Sequence, residues 1–353
     1  MNKLRIIDFR SDTVTKPSPE MWEMLRSIDN SKIGDDVIGE DPIVNDLEEK
    51  AAKIIGKEEA LFVTSGTQGN LVSLLSQTKP GDEIIVEELS HIYGNEVGSA
   101  ARIGGLMIRT YPSNLGIPNL DQLQEMIRDK EDIHQPPTTL LTTEDTHNFH
   151  GGVIIKPIEL AKMNVFAKKN NLKFHLDGAR IFNAAIGLKT PVKEFTKYVD
   201  SVMFCLSKGL ACPVGSIVAG SQDFISKARK FRKMLGGGMR QAGIIACFGL
   251  IALEPNWINR LEEDHKNAKL LAEGINAYNL PIKIHKPETN IVIIEFMKNT
   301  EIFKIINELR KEGILAFNIS KEKIRFVTHY GIESDDIQLA ISKIGHVLEK
   351  YNK

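Results

Sequence analysis

Residues 204–216, FCLSKGLACPVGS, place a lysine where a buried strand runs out. Residues 202–206 are apolar and lead directly into Ser207, Lys208 and Gly209. A lysine in that position is partly desolvated, which favours the nucleophilic free amine, and Gly209 is expected to open space beside it. Four other apolar runs end in reactive residues. ALFV is followed by Thr64-Ser65-Gly66-Thr67, EIIVEE by Ser90 and His91, TTLLTTE by Asp145, Thr146 and His147, and LKFHL by Asp177, Gly178, Ala179 and Arg180. A purely structural turn needs only Gly, Asn, Asp or Pro. SGTQGN offers backbone N–H groups and hydroxyls at a helix start, which makes an anion site, although Ser65 or Thr67 would equally serve as a plain N-cap. It matches neither the Walker A pattern nor GxGxxG. Taken together, an anion cradle, an amine, a carboxylate and an aromatic ring are the parts that pyridoxal phosphate (PLP) requires. Lys208 is the expected Schiff-base lysine, Asp177 the partner of the ring nitrogen, and His91 the ring that stacks on the cofactor.

Those residues need a frame that gathers strand ends along one edge. From about Pro42 onward, short apolar strands alternate with helical stretches such as NDLEEKAAKIIG, QGNLVSLLSQT and PIELAKMNVFAKKNN. Continuous apolar strands between helices predict a mostly parallel sheet covered on both faces. In such sheets ligands bind beyond the carboxyl ends of the strands. After residues 242–253 the pattern changes, and NIVIIEF, IFKIINELRKEG, ILAFNI, KIRFVTHY and DDIQLAISKIGHVLEKY suggest a smaller α+β unit. The expected organisation is an N-terminal arm over 1–41, a large cofactor-binding α/β domain over 42–254 and a small C-terminal domain over 255–353.

Bulk properties narrow the function classes. The 353 residues carry a formal net charge of −1, with no basic bias toward nucleic acid or membrane surfaces. The apolar fraction of 42% suits a chain with a substantial core. The opening MNKLRIIDFRSD contains no apolar h-region, so no secretory signal is expected there. The twelve-residue apolar run AGIIACFGLIAL is too short to span a bilayer. The three cysteines form no CxxC pair, which fits a reduced, cytoplasmic protein. No residue set is assigned to a metal.

With these residues in hand, the chain resembles the low-specificity L-threonine aldolases, PLP enzymes of the aspartate-aminotransferase-like fold. The resemblance rests on RSDTVTKPSPEM, GDDVIGEDP, LFVTSGTQGN, DGARIFNA, SVMFCLSKGLACPVGS, RKMLGGGMRQAG, EDHKNA and IRFVTH, spread over residues 9–329. It implies a homotetramer, with Lys208 binding PLP, Asp177 on the ring nitrogen, His91 stacking, and Ser65, Gly66 and Thr67 cradling the phosphate. Ser207 and Arg180 join this cofactor-binding set by the same likeness. Arg240 is implied to reach the phosphate from a neighbouring subunit. Ser11, Arg180 and Arg325 are implied to hold the substrate carboxylate, and His134 to lie near the substrate hydroxyl. Two stretches depart from the family pattern. EDTHNFHGG stands for a more usual Glu-Asn-Thr-His-Asn run, and IYGNE follows His91 where members vary. His147 stays outside the catalytic set.

The reaction implied is cleavage of L-threonine or L-allo-threonine to glycine and acetaldehyde, or of a related β-hydroxy amino acid to the matching aldehyde. His91, His134 or a water relayed by one of them would accept the β-hydroxyl proton. The rivals are PLP-dependent β-elimination of a hydroxy amino acid and a non-catalytic α/β protein that binds a phosphate compound.

Overall fold

The computed structural model describes residues 5–297 and 300–351. Its centre is a seven-stranded sheet: β1 (Glu59–Val63), β2 (Glu83–Glu87), β3 (Met107–Tyr111), β4 (Thr138–Glu144), β5 (Lys173–Asp177), β6 (Ser201–Cys205) and β7 (Ser216–Gly220). Their spatial order is β1-β7-β6-β5-β4-β2-β3. β7 runs antiparallel to both of its neighbours, and every other pairing is parallel. The mostly parallel α/β sheet expected from sequence is therefore the observed one. Strands β2, β6 and β7 are buried along their whole length, as strands covered on both faces must be.

Helices on the two faces supply the cover. α1 (Pro19–Arg26), α2 (Pro42–Ile55) and α3 (Gly66–Gln77) come first along the chain. α2 is started by Asp41, which accepts from the N–H groups of Ile43 and Val44, with Pro42 in the first turn, and it stops at Gly56 in the left-handed region. α4 (Gly243–Ala252) is the apolar run, packed against α1 and α2. None of the described helices is long and apolar enough to cross a membrane.

A second, four-stranded antiparallel sheet follows: β8 (Ile282–Ile284), β9 (Ile291–Phe296), β10 (Phe317–Asn318) and β11 (Lys323–Val327), ordered β8-β9-β11-β10. It has its own core, shared with α5 (Leu261–Asn276), α6 (Ile302–Lys311) and α7 (Ser334–Tyr351). The opening segment belongs to this second core. Ile7–Asp8 pairs in parallel with Ile314–Leu315, and Phe9 is fully buried against Phe326.

Candidate active site

Parallel strands put the residues after β2, β4, β5 and β6 on one edge of the sheet, and β1, antiparallel to β7, ends there too. Asp177 closes β5, and its Cα is paired with that of Met203 in β6. The chain of β6 then continues to Lys208. The main chain there is clamped, because Thr15 Oγ1 donates to the Lys208 carbonyl at 2.9 Å and Arg260 Nη2 donates to the Gly209 carbonyl at 2.9 Å. The Lys208 amine has no hydrogen-bond or ion-pair partner among the described residues. A Cβ at Gly209 would meet Leu261 Cδ2 at 3.0 Å, so the missing side chain leaves room for the close approach of α5.

The N-terminus of α3 lies alongside. Ser65 is its N-cap, accepting from Gln68 N–H at 3.2 Å. The N–H groups of Gly66 and Thr67 have no partner among the described residues, the arrangement an anion requires. Packing explains two of the glycines in this helix. Cβ atoms at Gly66 and Gly69 would stand 2.9 Å from Cys205 Sγ and 2.6 Å from Met203 Cγ. Their absence lets the first turn lie directly on β6, close to the strand that carries Lys208.

Asp177 is held by a directional chain of hydrogen bonds. Asn70, buried on α3, donates both hydrogens of its Nδ2, to Asp177 Oδ2 and to Glu96 Oε1, each at 2.8 Å. His175 Nε2 lies 3.2 Å from Asn70 Oδ1, and His175 Nδ1 lies 2.8 Å from Ser201 Oγ. Burial pushes the His175 pKa down to about 4, so its ring is neutral. With one ring proton only, His175 donates to Asn70 Oδ1 and so fixes the amide with its donors toward the two acids. Ala179 N–H completes Asp177 at 3.1 Å.

His91 begins a single helical turn, His91–Gly94, and its backbone N–H donates to Glu144 Oε2 at 2.7 Å. Nδ1 of the ring faces Glu96 Oε1 at 2.9 Å, which places the proton on that side and leaves Nε2 free. Burial alone would lower the pKa of this ring. The hydrogen bond that the ring donates to Glu96 and the charges of Asp177 and Glu96 outweigh burial and hold it above the usual histidine value, against opposition from Lys208.

The carboxylate-binding arginines differ from expectation in one respect. Arg180 gives Nε and Nη2 to the two oxygens of Asp12, both at 2.7 Å, and this pair is buried. Burial opposes the charge on Asp12, but Arg180 overcomes it and holds the carboxyl far below its usual range. Only Nη1 of Arg180 remains, 3.4 Å from Asn148 Oδ1. Arg325, on β11, is 8% exposed and pairs with no carboxylate among the described residues. Its Nη1 donates to Asn148 Oδ1 at 2.6 Å and its Nη2 to the Arg10 carbonyl at 3.0 Å, while Nε has no partner. Burial and the nearby charge of Arg180 push its pKa down to about 10, so it remains a cation at neutral pH. An arginine buried without a counter-anion is a site prepared for one. Ser11 caps the turn carrying Asp12.

One chain therefore gathers Lys208, Ser207, Asp177, His91, Ser65, Gly66, Thr67, Ser11, Arg180 and Arg325. It does not gather His134 or Arg240. His134 is exposed and precedes β4, whereas the site lies past the other end of that strand. Seven residues at ~3.3 Å each separate the two edges by roughly 20 Å. Arg240 is 63% exposed and pairs with Asp35 at 2.7 Å. Sequence reasoning missed Asn70, Glu96, Asp12 and Asn148. Asn70 was visible in SGTQGN and Asp12 in RSDTVT, yet neither follows a strand.

The residues fit PLP as a bound group: a free amine, a carboxylate with its oxygens already oriented, a free imidazole nitrogen and a pair of helix N–H groups with no partner among the described residues converge at the carboxyl edge of a parallel sheet. That combination defines a PLP-dependent enzyme of the aspartate-aminotransferase-like fold. The Beta-eliminating lyase family profile matches residues 8–299, and the chain belongs to that family. Low-specificity L-threonine aldolase 1 of Arabidopsis thaliana is 41% identical over 345 residues, covering 96% of this chain and 95% of its own. Low specificity L-threonine aldolase of Escherichia coli strain K12 is 40% identical over 333 residues, covering 94% of this chain and 96% of its own. Among solved structures, a Leishmania major threonine aldolase superposes with a TM-score of 0.84 at 18% identity, covering 97% of this chain and 99% of that one. A Sphingomonas wittichii serine palmitoyltransferase shares the fold with a TM-score of 0.76 at 14% identity, covering 98% of this chain and 88% of that one.

Proposed function

We propose that this chain cleaves L-threonine, L-allo-threonine and related β-hydroxy-α-amino acids to glycine and acetaldehyde or the matching aldehyde. The observation that carries the reading is the placement of Lys208 and Asp177 past adjacent strand ends, the amine without a partner and the carboxylate with its oxygens already oriented. When bound, PLP supplies an electron-accepting ring that stabilises negative charge at the Cα of an amino acid. Lys208 provides the amine that anchors it, Asp177 the acceptor for its ring N–H, and Gly66 and Thr67 the N–H groups for its phosphate, beside the hydroxyls of Ser65 and Ser207. Arg325 binds the substrate carboxylate, with Nη1 of Arg180 beside it and Asn148 between them. A fixed carboxylate orients the Cα–Cβ bond for cleavage. His91 Nε2 accepts the β-hydroxyl proton, and the carbonyl of the departing aldehyde forms as the C–C bond breaks. Lys208, close enough to His91 and Asp12 to influence both electrostatically, is the group that returns a proton to Cα.

The reading within the same family that competes with this one is β-elimination, which would give 2-oxobutanoate and ammonia from threonine. It needs an acid at the β-hydroxyl. His91, with Nδ1 committed to an acid and Nε2 free, favours taking a proton there instead. Incubating the holoenzyme with L-threonine and with L-allo-threonine separates the two. Glycine and acetaldehyde in equal amounts are expected, and 2-oxobutanoate with ammonia as the main products would refute the aldolase reading.

Arg240, exposed and paired with Asp35 in its own chain, is assigned here to the cradle of a neighbouring subunit in a homotetramer. The cytoplasm is the proposed location, supported by three cysteines that are all free and buried.

A further inference from the structure

The EDTHNFHGG turn carries a cluster that the reaction does not use. Glu87 closes β2 and is buried, His147 is fully buried, and His150 is 16% exposed. His147 and His150 are brought together by a tight turn. His147 N–H donates to the Val153 carbonyl at 3.0 Å, Gly152 N–H to the His147 carbonyl at 2.8 Å, and Gly151 and Gly152 both adopt positive φ. The two imidazoles lie 4.3 Å apart between ring centroids. His147 Nε2 is 3.0 Å from Glu87 Oε2 and His150 Nε2 is 3.3 Å from Glu87 Oε1. Ser113 Oγ stands 2.8 Å from Glu87 Oε1 and 3.3 Å from His150 Nε2.

We propose that Glu87, His147 and His150 form a site for one divalent transition ion of the Zn2+ type, with Ser113 Oγ or a water completing the coordination. Two imidazoles and one carboxylate are a donor set that zinc accepts, and ligand atoms bound at about 2.0–2.2 Å in a tetrahedron stand roughly 3.3 Å from one another. The two ring nitrogens stand 3.0 and 3.3 Å from different oxygens of Glu87, and one ligand atom from each of the three residues lies within 4.8 Å of the others, so the donors need only draw together around the ion. The donors are held in place by their own backbone turn, so little ordering is left for the ion to impose. The surroundings favour a cation, since Glu144 and Asp177 both act on His147 in addition to Glu87. Partly exposed His150 provides the way in. Binding needs Nε2 of each ring as a donor, so His147 carries its proton on Nδ1, a buried atom with no other partner. The next residue after His147 is Asn148, which bridges Arg180 and Arg325. An ion at this turn therefore braces the segment that holds the substrate-binding arginine.

The test uses the holoenzyme equilibrated with Zn2+, freed of excess by gel filtration and analysed for zinc per chain, with Co2+ as a spectroscopic substitute. One ion per chain is expected, with a higher thermal midpoint. Glu87→Gln and His150→Gln should each lower zinc affinity at least tenfold, whereas His134→Gln, at the opposite edge, should keep it. Circular dichroism and cofactor absorbance establish that the variants are folded. His150→Gln, whose ring is partly exposed, keeps the test available if Glu87→Gln fails to fold. Wild-type protein that retains no more zinc than the His150→Gln variant overturns the proposal.

Discussion

At the scale of single residues, the site works by committing polar groups to one another and leaving a few free. His91 illustrates this. Its Nδ1 is fixed by Glu96, and its Nε2 is left for substrate. Burial and three charged groups act on the ring: burial and Lys208 lower its pKa, whereas Glu96 and Asp177 raise it. With the neutral ring as the proposed base, activity is expected to be lost as pH falls through the raised pKa. Replacing Glu96 by Gln removes a raising influence. The acid limb of kcat/KM should therefore move to lower pH, by on the order of one unit, with a lower plateau because the ring is less firmly held. A pH–rate profile of Glu96→Gln checks this, and an unchanged acid limb would remove Glu96 from the site. Lys208, Asp177 and Ser65 were legible because each interrupts or ends an apolar strand, where the polar residue has nothing structural to do. Glu96 and Asn70 were not, because their burial arises from packing between segments 26 and 107 residues apart, with Asn70 meeting Glu96 and Asp177 across those separations.

At the scale of elements, the short opening segment does more than its length suggests. Residues 7–15 pair with Ile314–Leu315, bury Phe9 in the second core, set Asp12 against Arg180 and clamp the Lys208 carbonyl through Thr15. One strip of chain ties both sheets to the main chain at Lys208. Phe9→Ala should cost about 3–5 kcal/mol, since it empties a fully buried aromatic site. The urea-unfolding midpoint should fall, and the KM for threonine should rise because Arg325 donates to the Arg10 carbonyl next to Phe9. A midpoint within error of wild type would contradict the assigned role. The periodicity of the large sheet was readable strand by strand, because both faces are covered and the apolar runs are continuous. The segment 7–15 read as a polar arm because its only strand is two residues long and its partners lie some three hundred residues away.

At the scale of the whole molecule, two residues that the family resemblance marked, His134 and Arg240, are exposed on their own chain. The resemblance assigns Arg240 to a neighbouring subunit, and the sequence is silent on which subunit's site His134 serves. Arg240 stands on the surface, paired with Asp35, at the end of the segment that leads into α4. If it completes a neighbour's phosphate cradle, Arg240→Ala should weaken PLP binding roughly tenfold or more, about 1.4 kcal/mol, and dilution to monomer should do the same. Titration of the cofactor absorbance against chain concentration measures both effects, and a fully active monomer would contradict the assembly.

The central claim is that Lys208 is the residue on which PLP is carried at the carboxyl edge of the sheet. Borohydride reduction of the holoenzyme, followed by proteolysis and peptide mass mapping, tests it directly. The account predicts one pyridoxyl label per chain, on the peptide that contains Lys208, and none on Lys208→Ala, which should still bind PLP non-covalently through the cradle at Gly66 and Thr67. A label on any other lysine, or an active enzyme that takes up no label, would contradict it.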